Sequence, residues 1–195
     1  TIDFAGTVDG AQDLTVASAG TTTFNGHVGS GVGTELGDGT GAAITINSTG
    51  LTRFTGTLET KSGLTGTGAV RFDDAVTLAA GNTATTLNGD VTLDGLTFNS
   101  AGNVTLGDAT SDTLTISTAA VTVKTPSATL NIPSNVEIAD GLALTLGDGG
   151  ATAIVAGGTI QGAASGSVDS DLVVNTTGTA AFNGIIGGGS QFRNL

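Results

Sequence analysis

Three aspartates sit in one recurring phrase: Leu36-Gly37-Asp38-Gly39-Thr40, Leu106-Gly107-Asp108-Ala109-Thr110 and Leu146-Gly147-Asp148-Gly149-Gly150. A carboxylate held in a tight turn beside open backbone carbonyls is a hard oxygen donor of the kind calcium takes. Asp38, Asp108 and Asp148 are therefore the candidate metal ligands, and calcium is the one cofactor the sequence suggests. The phrase differs from the tandem Gly-Gly-x-Gly-x-Asp calcium repeat, and an aspartate in a turn commonly bonds its own backbone instead. The competing reading is a turn closed by its own carboxylate.

Catalysis finds less to work with. His27 is the single histidine, so neither a Ser-His-Asp arrangement nor a multi-histidine metal site is easily assembled. Asp73-Asp74 and Asp169-Ser170-Asp171 supply the paired acids a glycosidase needs, the second pair on one strand face. Sugar clefts also present Trp or Tyr faces, and this chain has neither. The expectation is a protein that is not an enzyme, with no catalytic residues. Three Asn-x-Ser/Thr sequons, at Asn47, Asn103 and Asn175, are what chance supplies in a threonine-rich chain. Thr-x-Thr pairs recur too irregularly, as at Thr55-Gly56-Thr57 and Thr113-Leu114-Thr115, to read as a water-ordering surface.

Composition narrows the partners. Seventeen acids against five bases give a net charge of -12, and the bases Arg53, Lys61, Arg71, Lys124 and Arg193 are scattered. No cationic stripe exists to neutralise phosphates or anionic lipid, so nucleic acid is excluded as a partner. No run approaches the roughly 18 apolar residues of a spanning helix, and no membrane insertion is expected. Cysteine is absent, which rules out a disulfide framework and a thiolate zinc site. No methionine, basic region or apolar leader opens the chain. It reads as a processed product or as part of something longer, and both suit export.

The elements that must carry these residues are short strands. Ala43-Ile44-Thr45-Ile46, Ala75-Val76-Thr77-Leu78, Thr113-Leu114-Thr115-Ile116 and Ala120-Val121-Thr122-Val123 alternate apolar and polar at period two. A second phrase marks corners between them: Phe4-Ala5-Gly6, Phe24-Asn25-Gly26, Phe54-Thr55-Gly56, Phe72-Asp73-Asp74, Leu87-Asn88-Gly89 and Phe182-Asn183-Gly184. Each puts a core-type side chain before residues that tolerate positive φ. Independent sandwich strands have no reason to share phrases, whereas stacked coils do. The spacing predicts an all-β chain with almost no α-helix: a parallel β-helix, or β-solenoid, of about ten coils of roughly 20 residues. It forms one domain over 1–195 with a C-terminal tail over 187–195. A β-sandwich completed by a donated strand is the alternative. The Leu-Gly-Asp phrases begin at 36, 106 and 146, intervals of 70 and 40, so coil length must vary. Gly29 to Thr40 and Gly157 to Ser170 read as projecting loops. Pro126 and Pro133 flank a strand expected at an edge or bend.

The runs Gly20-Thr21-Thr22-Thr23-Phe24-Asn25-Gly26-His27-Val28-Gly29 and Gly178-Thr179-Ala180-Ala181-Phe182-Asn183-Gly184-Ile185-Ile186-Gly187 resemble the repeats of large bacterial surface adhesins, the filamentous-haemagglutinin-like and autotransporter-passenger β-solenoids. The resemblance implies export to the cell surface and a right-handed parallel β-helix, and supplies no catalytic residue. Those proteins are far longer than this chain.

Neither end reads as a cap. Thr1, Ile2 and Phe4 begin straight into a strand, and Ile185, Ile186, Gln191, Phe192 and Leu195 close the chain around a triple glycine. An uncapped coil presents unpaired backbone groups. These residues are therefore the expected self-association sites, with a second copy or the continuation of a longer chain as partner. The function expected is an extracellular, cell-surface structural rod, in a filament or matrix or in an adhesin stalk. The alternative is an adhesive module whose loops meet a host or cell-surface receptor.

Overall fold

The computed structural model describes residues 1–30, 33–78, 83–162, 170–187 and 192–194. Every regular element among them is a strand of three to five residues. The first turn holds β1 (Ile2–Phe4) and β2 (Leu14–Val16), the second β3 (Thr22–Phe24) and β4 (Ile44–Ile46). Three strands per turn follow. They are β5 (Thr52–Phe54), β6 (Leu58–Thr60) and β7 (Leu64–Gly66); β8 (Val70–Phe72), β9 (Val76–Leu78) and β10 (Thr85–Leu87); β11 (Val91–Leu93), β12 (Thr97–Ser100) and β13 (Val104–Leu106). Next come β14 (Thr113–Ile116), β15 (Val121–Lys124) and β16 (Thr129–Ile132); β17 (Asn135–Ile138), β18 (Ala143–Leu146) and β19 (Ala153–Ala156); β20 (Ile160–Gly162), β21 (Ser170–Val174) and β22 (Ala180–Phe182). β23 (Phe192–Asn194) begins a further turn.

Each strand pairs in parallel with the strand one turn away, which builds three sheets. The first face runs β1-β3-β5-β8-β11-β14-β17-β20, the second β6-β9-β12-β15-β18-β21-β23, and the third β2-β4-β7-β10-β13-β16-β19-β22. In the first two turns Val8 and Val28 carry the second face through single bridges. The chain is thus a parallel β-solenoid, and the sandwich is set aside. Eight strands on two faces and seven on the third make a shallower stack than the expected ten coils, about 35 Å long at the spacing of paired strands.

Alternation within three-residue strands puts two side chains in and one out. In β4, β5, β8 and β11 the flanking residues are buried and the middle one is partly exposed. The inward residues form one continuous core, from Val16 and Phe24 at one end to Ile160 and Leu172 at the other. Its most ordered part is an aromatic column on the first face. Phe4, Phe24, Phe54 and Phe72 occupy one register position. Their rings stack at 4.7, 4.9 and 5.3 Å with interplanar angles under 10°. Phe98, from the second face, meets Phe72 edge-on at 5.8 Å.

The corners explain the glycines. A Cβ on Gly26 would lie 2.5 Å from the carbonyl carbon of Gly6 one turn away, closer than real atoms approach. Successive corners here touch backbone to backbone. The two recurring phrases mark strand exits rather than one place in the coil. Leu36 and Leu146 leave the second face, while Leu106 leaves the third. The intervals of 70 and 40 arise because one phrase serves two different corners.

The proline-flanked strand meets one of its two expected placements. β16 lies inside the third face, between β13 and β19. The prolines fall just outside it, where no ladder donor is needed. Pro126 opens a turn closed by the Ala128 N–H on the Thr125 carbonyl at 3.0 Å, with Ser127 at φ 60°. The bend is there; the edge is not.

Several buried positions are polar, and two of them adjoin on the first face. Thr22 and Thr52 are register neighbours, are 0% exposed, and bury hydroxyls without a partner. Their column continues as Val70 and Val91. Replacing Thr52 by Val keeps the shape and removes an unsatisfied hydroxyl, a gain of about 1 kcal/mol. Thermal unfolding should then move up by about 3 °C. A lower midpoint would mean that the hydroxyl is satisfied in solution.

Candidate functional site

The three candidate calcium ligands stand in separate corners. Asp38 and Asp148 lie between the second and third faces, many turns apart, and Asp108 lies between the third and first. Asp38 Oδ1 accepts Thr40 N–H and Thr40 Oγ1–H, each at 2.7 Å. These bonds hold its carboxyl below the usual range. Asp148 Oδ1 accepts the Gly150 N–H at 3.1 Å. Asp108 is pushed up by the Asp112 side chain hydrogen-bonded to it. Asp112 in turn accepts the Asp108 and Ala109 N–H groups at 2.9 and 3.1 Å. Each carboxylate is engaged in its own turn. Among the described residues no three His, Cys, Asp or Glu side chains gather to hold an ion.

The other chemical candidates are also engaged. His27 Nδ1 lies 2.7 Å from Thr57 Oγ1 and accepts the Thr57 N–H at 3.3 Å, linking two turns. Asp74 Oδ1 accepts the Ala75 N–H at 2.7 Å. Asp73 is bound by two arginines: Arg53 Nε at 2.5 Å on Oδ2 and Arg71 Nε at 2.5 Å on Oδ1. Asp171 lies in β21, whereas Asp169 falls outside the described residues. Of the sequons, Asn47 and Asn175 are exposed, and Asn103 Oδ1 accepts the Thr129 N–H at 2.9 Å.

What the sequence reading missed is a rail of side chains along the corner between the first and second faces. Arg53 and Arg71 are direct register neighbours, a like-charge contact that is unfavourable on a sheet unless compensated. Asp73 bridges them, and Arg71 Nη2 reaches Asp94 Oδ2 at 2.7 Å. The Asp94 side chain is 2% exposed and accepts Ser117 N–H at 3.0 Å, Ser117 Oγ–H at 2.8 Å and Thr118 N–H at 2.9 Å. Burial pushes its pKa up. The Ser117 hydroxyl, the two N–H groups and the Arg71 charge together outweigh burial and hold the carboxyl below the usual aspartate range. The rail therefore clips successive turns together.

The same device recurs with neutral partners. Asp90 Oδ1 accepts Thr113 N–H at 2.9 Å, and Asn135 Oδ1 accepts Thr159 N–H at 2.8 Å. The acids and amides that read as local turn formers cap corners one whole turn later. Only the recurrence of Asp and Asn at strand margins hinted at this, because the target lies more than twenty residues away.

The end turns carry the predicted self-association residues. Thr1 is exposed. Ile2 and Phe4 in β1 are 43% and 38% exposed. At the other end Ile185 and Ile186 are 64% and 37% exposed, and Ile186 bridges Ile160. Phe192, expected to reach a neighbour, lies in β23 beside β21 of its own chain and packs half-buried on its own core. Gln191 and Leu195 fall outside the described residues, as does most of the tail over 187–195.

Of the two expected loops, the first is an excursion from the second face. Val28 bridges Leu58 and Leu36 bridges Thr60, so the chain leaves the ladder after Val28 and rejoins it at Leu36. Residues 31 and 32 within it fall outside the described set. The second is only partly a loop: β20 lies inside 157–170 and pairs with β17, while 163–169 fall outside the described residues. Comparison with protein-family models, curated proteins and solved structures finds no match.

Proposed function

We propose that this chain is a non-enzymatic structural rod of an extracellular, cell-surface assembly, either a filament formed by head-to-tail contact or the stalk of an adhesin. One observation carries the reading: three parallel ladders stack turn on turn around a continuous apolar core among the described residues. A stack of this kind holds each turn by its neighbours alone, so it lengthens without any change in design. Parallel turns at both ends have the same polarity, and a head-to-tail contact therefore continues the ladders rather than closing on itself. The acidic surface keeps such rods apart sideways.

Negative-stain microscopy with sedimentation across a range of concentrations tests the filament. Units of about 35 Å should join end to end, and Phe4→Asp should block the joining. Single units at every concentration would sink the filament form. The excursion between Val28 and Leu36 favours a second reading, an adhesive module that meets a receptor on a host or cell surface. Receptor binding lost on trimming that excursion would select it.

A further inference from the structure

Unequal turn lengths hide one regular array. Thr15, Thr45, Thr65, Thr86 and Thr105 are the middle residues of β2, β4, β7, β10 and β13, and each is the register partner of the next. They make a column of outward threonines up the third face, one per turn, each exposed or half-buried. Threonines elsewhere give their hydroxyls to main-chain carbonyls, as Thr55, Thr152 and Thr176 do. None of the five in the column has a hydroxyl partner among the described residues. The same position stays uncharged through the rest of the face, as Asn131, Val155 and Ala181. The matching column of the first face carries Asp3, Arg53, Arg71 and Glu137, and that of the second face carries Glu59 and Lys124. Ala43, Gly63 and Ala84, two positions before Thr45, Thr65 and Thr86, are too short to overhang the column. Asp13 stands two positions before Thr15 and accepts the Asp38 N–H at 3.3 Å in its corner.

We propose that this threonine column is an ice-binding face. Paired strands lie about 4.8 Å apart, so threonines recur at that interval along the rod. Equivalent oxygens in the basal plane of hexagonal ice repeat at nearly the same distance. β-Branching restricts χ1 and the ladders fix the backbone, so the hydroxyls have little freedom to lose when they join a lattice. A charged side chain would hold its own hydration shell against that lattice, and the column has none. A second copy is a poorer occupant. The face is about 10 Å wide and about 35 Å long, well short of the roughly 800 Å² that each partner gives to a stable interface. The net charge of -12 also keeps copies apart. The inference concerns the side of the rod and holds alike for a filament unit and for a stalk.

The test measures thermal hysteresis of the full chain, the gap between the melting and freezing points of a seeded ice crystal. A gap that widens with protein concentration is expected, with faceted crystals inside it. Thr65→Lys should abolish the gap, because a long, strongly hydrated ammonium holds the middle of the column off the lattice. Thr115→Lys adds the same charge to the first face beside Glu137 and should leave the gap unchanged. Melting curves of both variants check the fold, and Thr45→Lys repeats the substitution one turn away if Thr65→Lys melts early. No gap with the unaltered chain, or equal loss with Thr115→Lys, overturns the proposal. Side-by-side pairing in sedimentation without a gap, kept by Phe4→Asp and removed by Thr65→Lys, would give the face to a second copy and overturn it as well.

Discussion

Replacing Asp94 by Asn is expected to destabilise the chain by about 3 kcal/mol at neutral pH, because the substitution strips a buried carboxylate from its cation. Arg71 loses the partner at 2.7 Å. The incoming amide also turns a donor toward a corner where Ser117 and Thr118 already present N–H groups. Arg71 retains Asp73 and is 31% exposed, which keeps the loss at the lower end of the range for buried pairs. The pH dependence follows from the depressed folded-state pKa. The unfolded carboxyl binds its proton first as pH falls, so the contribution is complete above the ordinary aspartate value of about 4. It is lost as pH drops from there through the lower folded value. Chemical denaturation of both forms should show a gap at pH 7 that closes in acid. A gap that persists unchanged at low pH would assign the loss to packing instead of charge.

Phe54→Ala carries the other large effect, about 4 kcal/mol. The ring is 1% exposed and lies between Phe24 at 4.9 Å and Phe72 at 5.3 Å. Its removal forfeits burial and both ring contacts. The cavity has little means of collapsing, since strand ladders above and below pin the spacing of all three faces. The loss should lower the melting midpoint by roughly 10 °C. In a stack stabilised turn by turn, hydrogen exchange should show the first two turns losing protection before the rest. Destabilisation below about 1 kcal/mol, or uniform loss of protection, would mean that the aromatic column does not couple the turns.

Much of the fold was readable because period-two alternation and repeated corner phrases are local. Ile44-Thr45-Ile46 and Val76-Thr77-Leu78 declare one buried face each, and Phe24-Asn25-Gly26 declares a strand exit. The shallower stack comes from longer turns. The second is lengthened by the excursion between Val28 and Leu36, and from Val70 through Val91, Leu114 and Val136 to Ile160 every turn runs past twenty residues, so the same number of residues makes fewer turns. The proline-flanked strand lies at a bend but not at an edge, because a proline counts against a central strand only when it lies within the ladder, and both prolines lie at its margins.

The site was harder to see. Asp38, Asp108 and Asp148 look alike in sequence yet occupy different corners, since a phrase encodes the manner of leaving a strand and not the face being left. The rail through Arg53, Asp73, Arg71 and Asp94 joins residues whose spacing has meaning only after the turn lengths are known. The exposure of Phe4 against the burial of the otherwise similar Phe24 likewise depends on position in the stack.

By itself the sequence determined the element type, the inward and outward alternation and the stacking of similar units, because these depend on neighbours two to five residues apart. Tertiary structure alone decided which side chains meet across turns, which acids are clipped and which apolar residues stay uncovered. Those contacts join residues about twenty positions apart, and their register is set by the summed length of every corner and excursion between them.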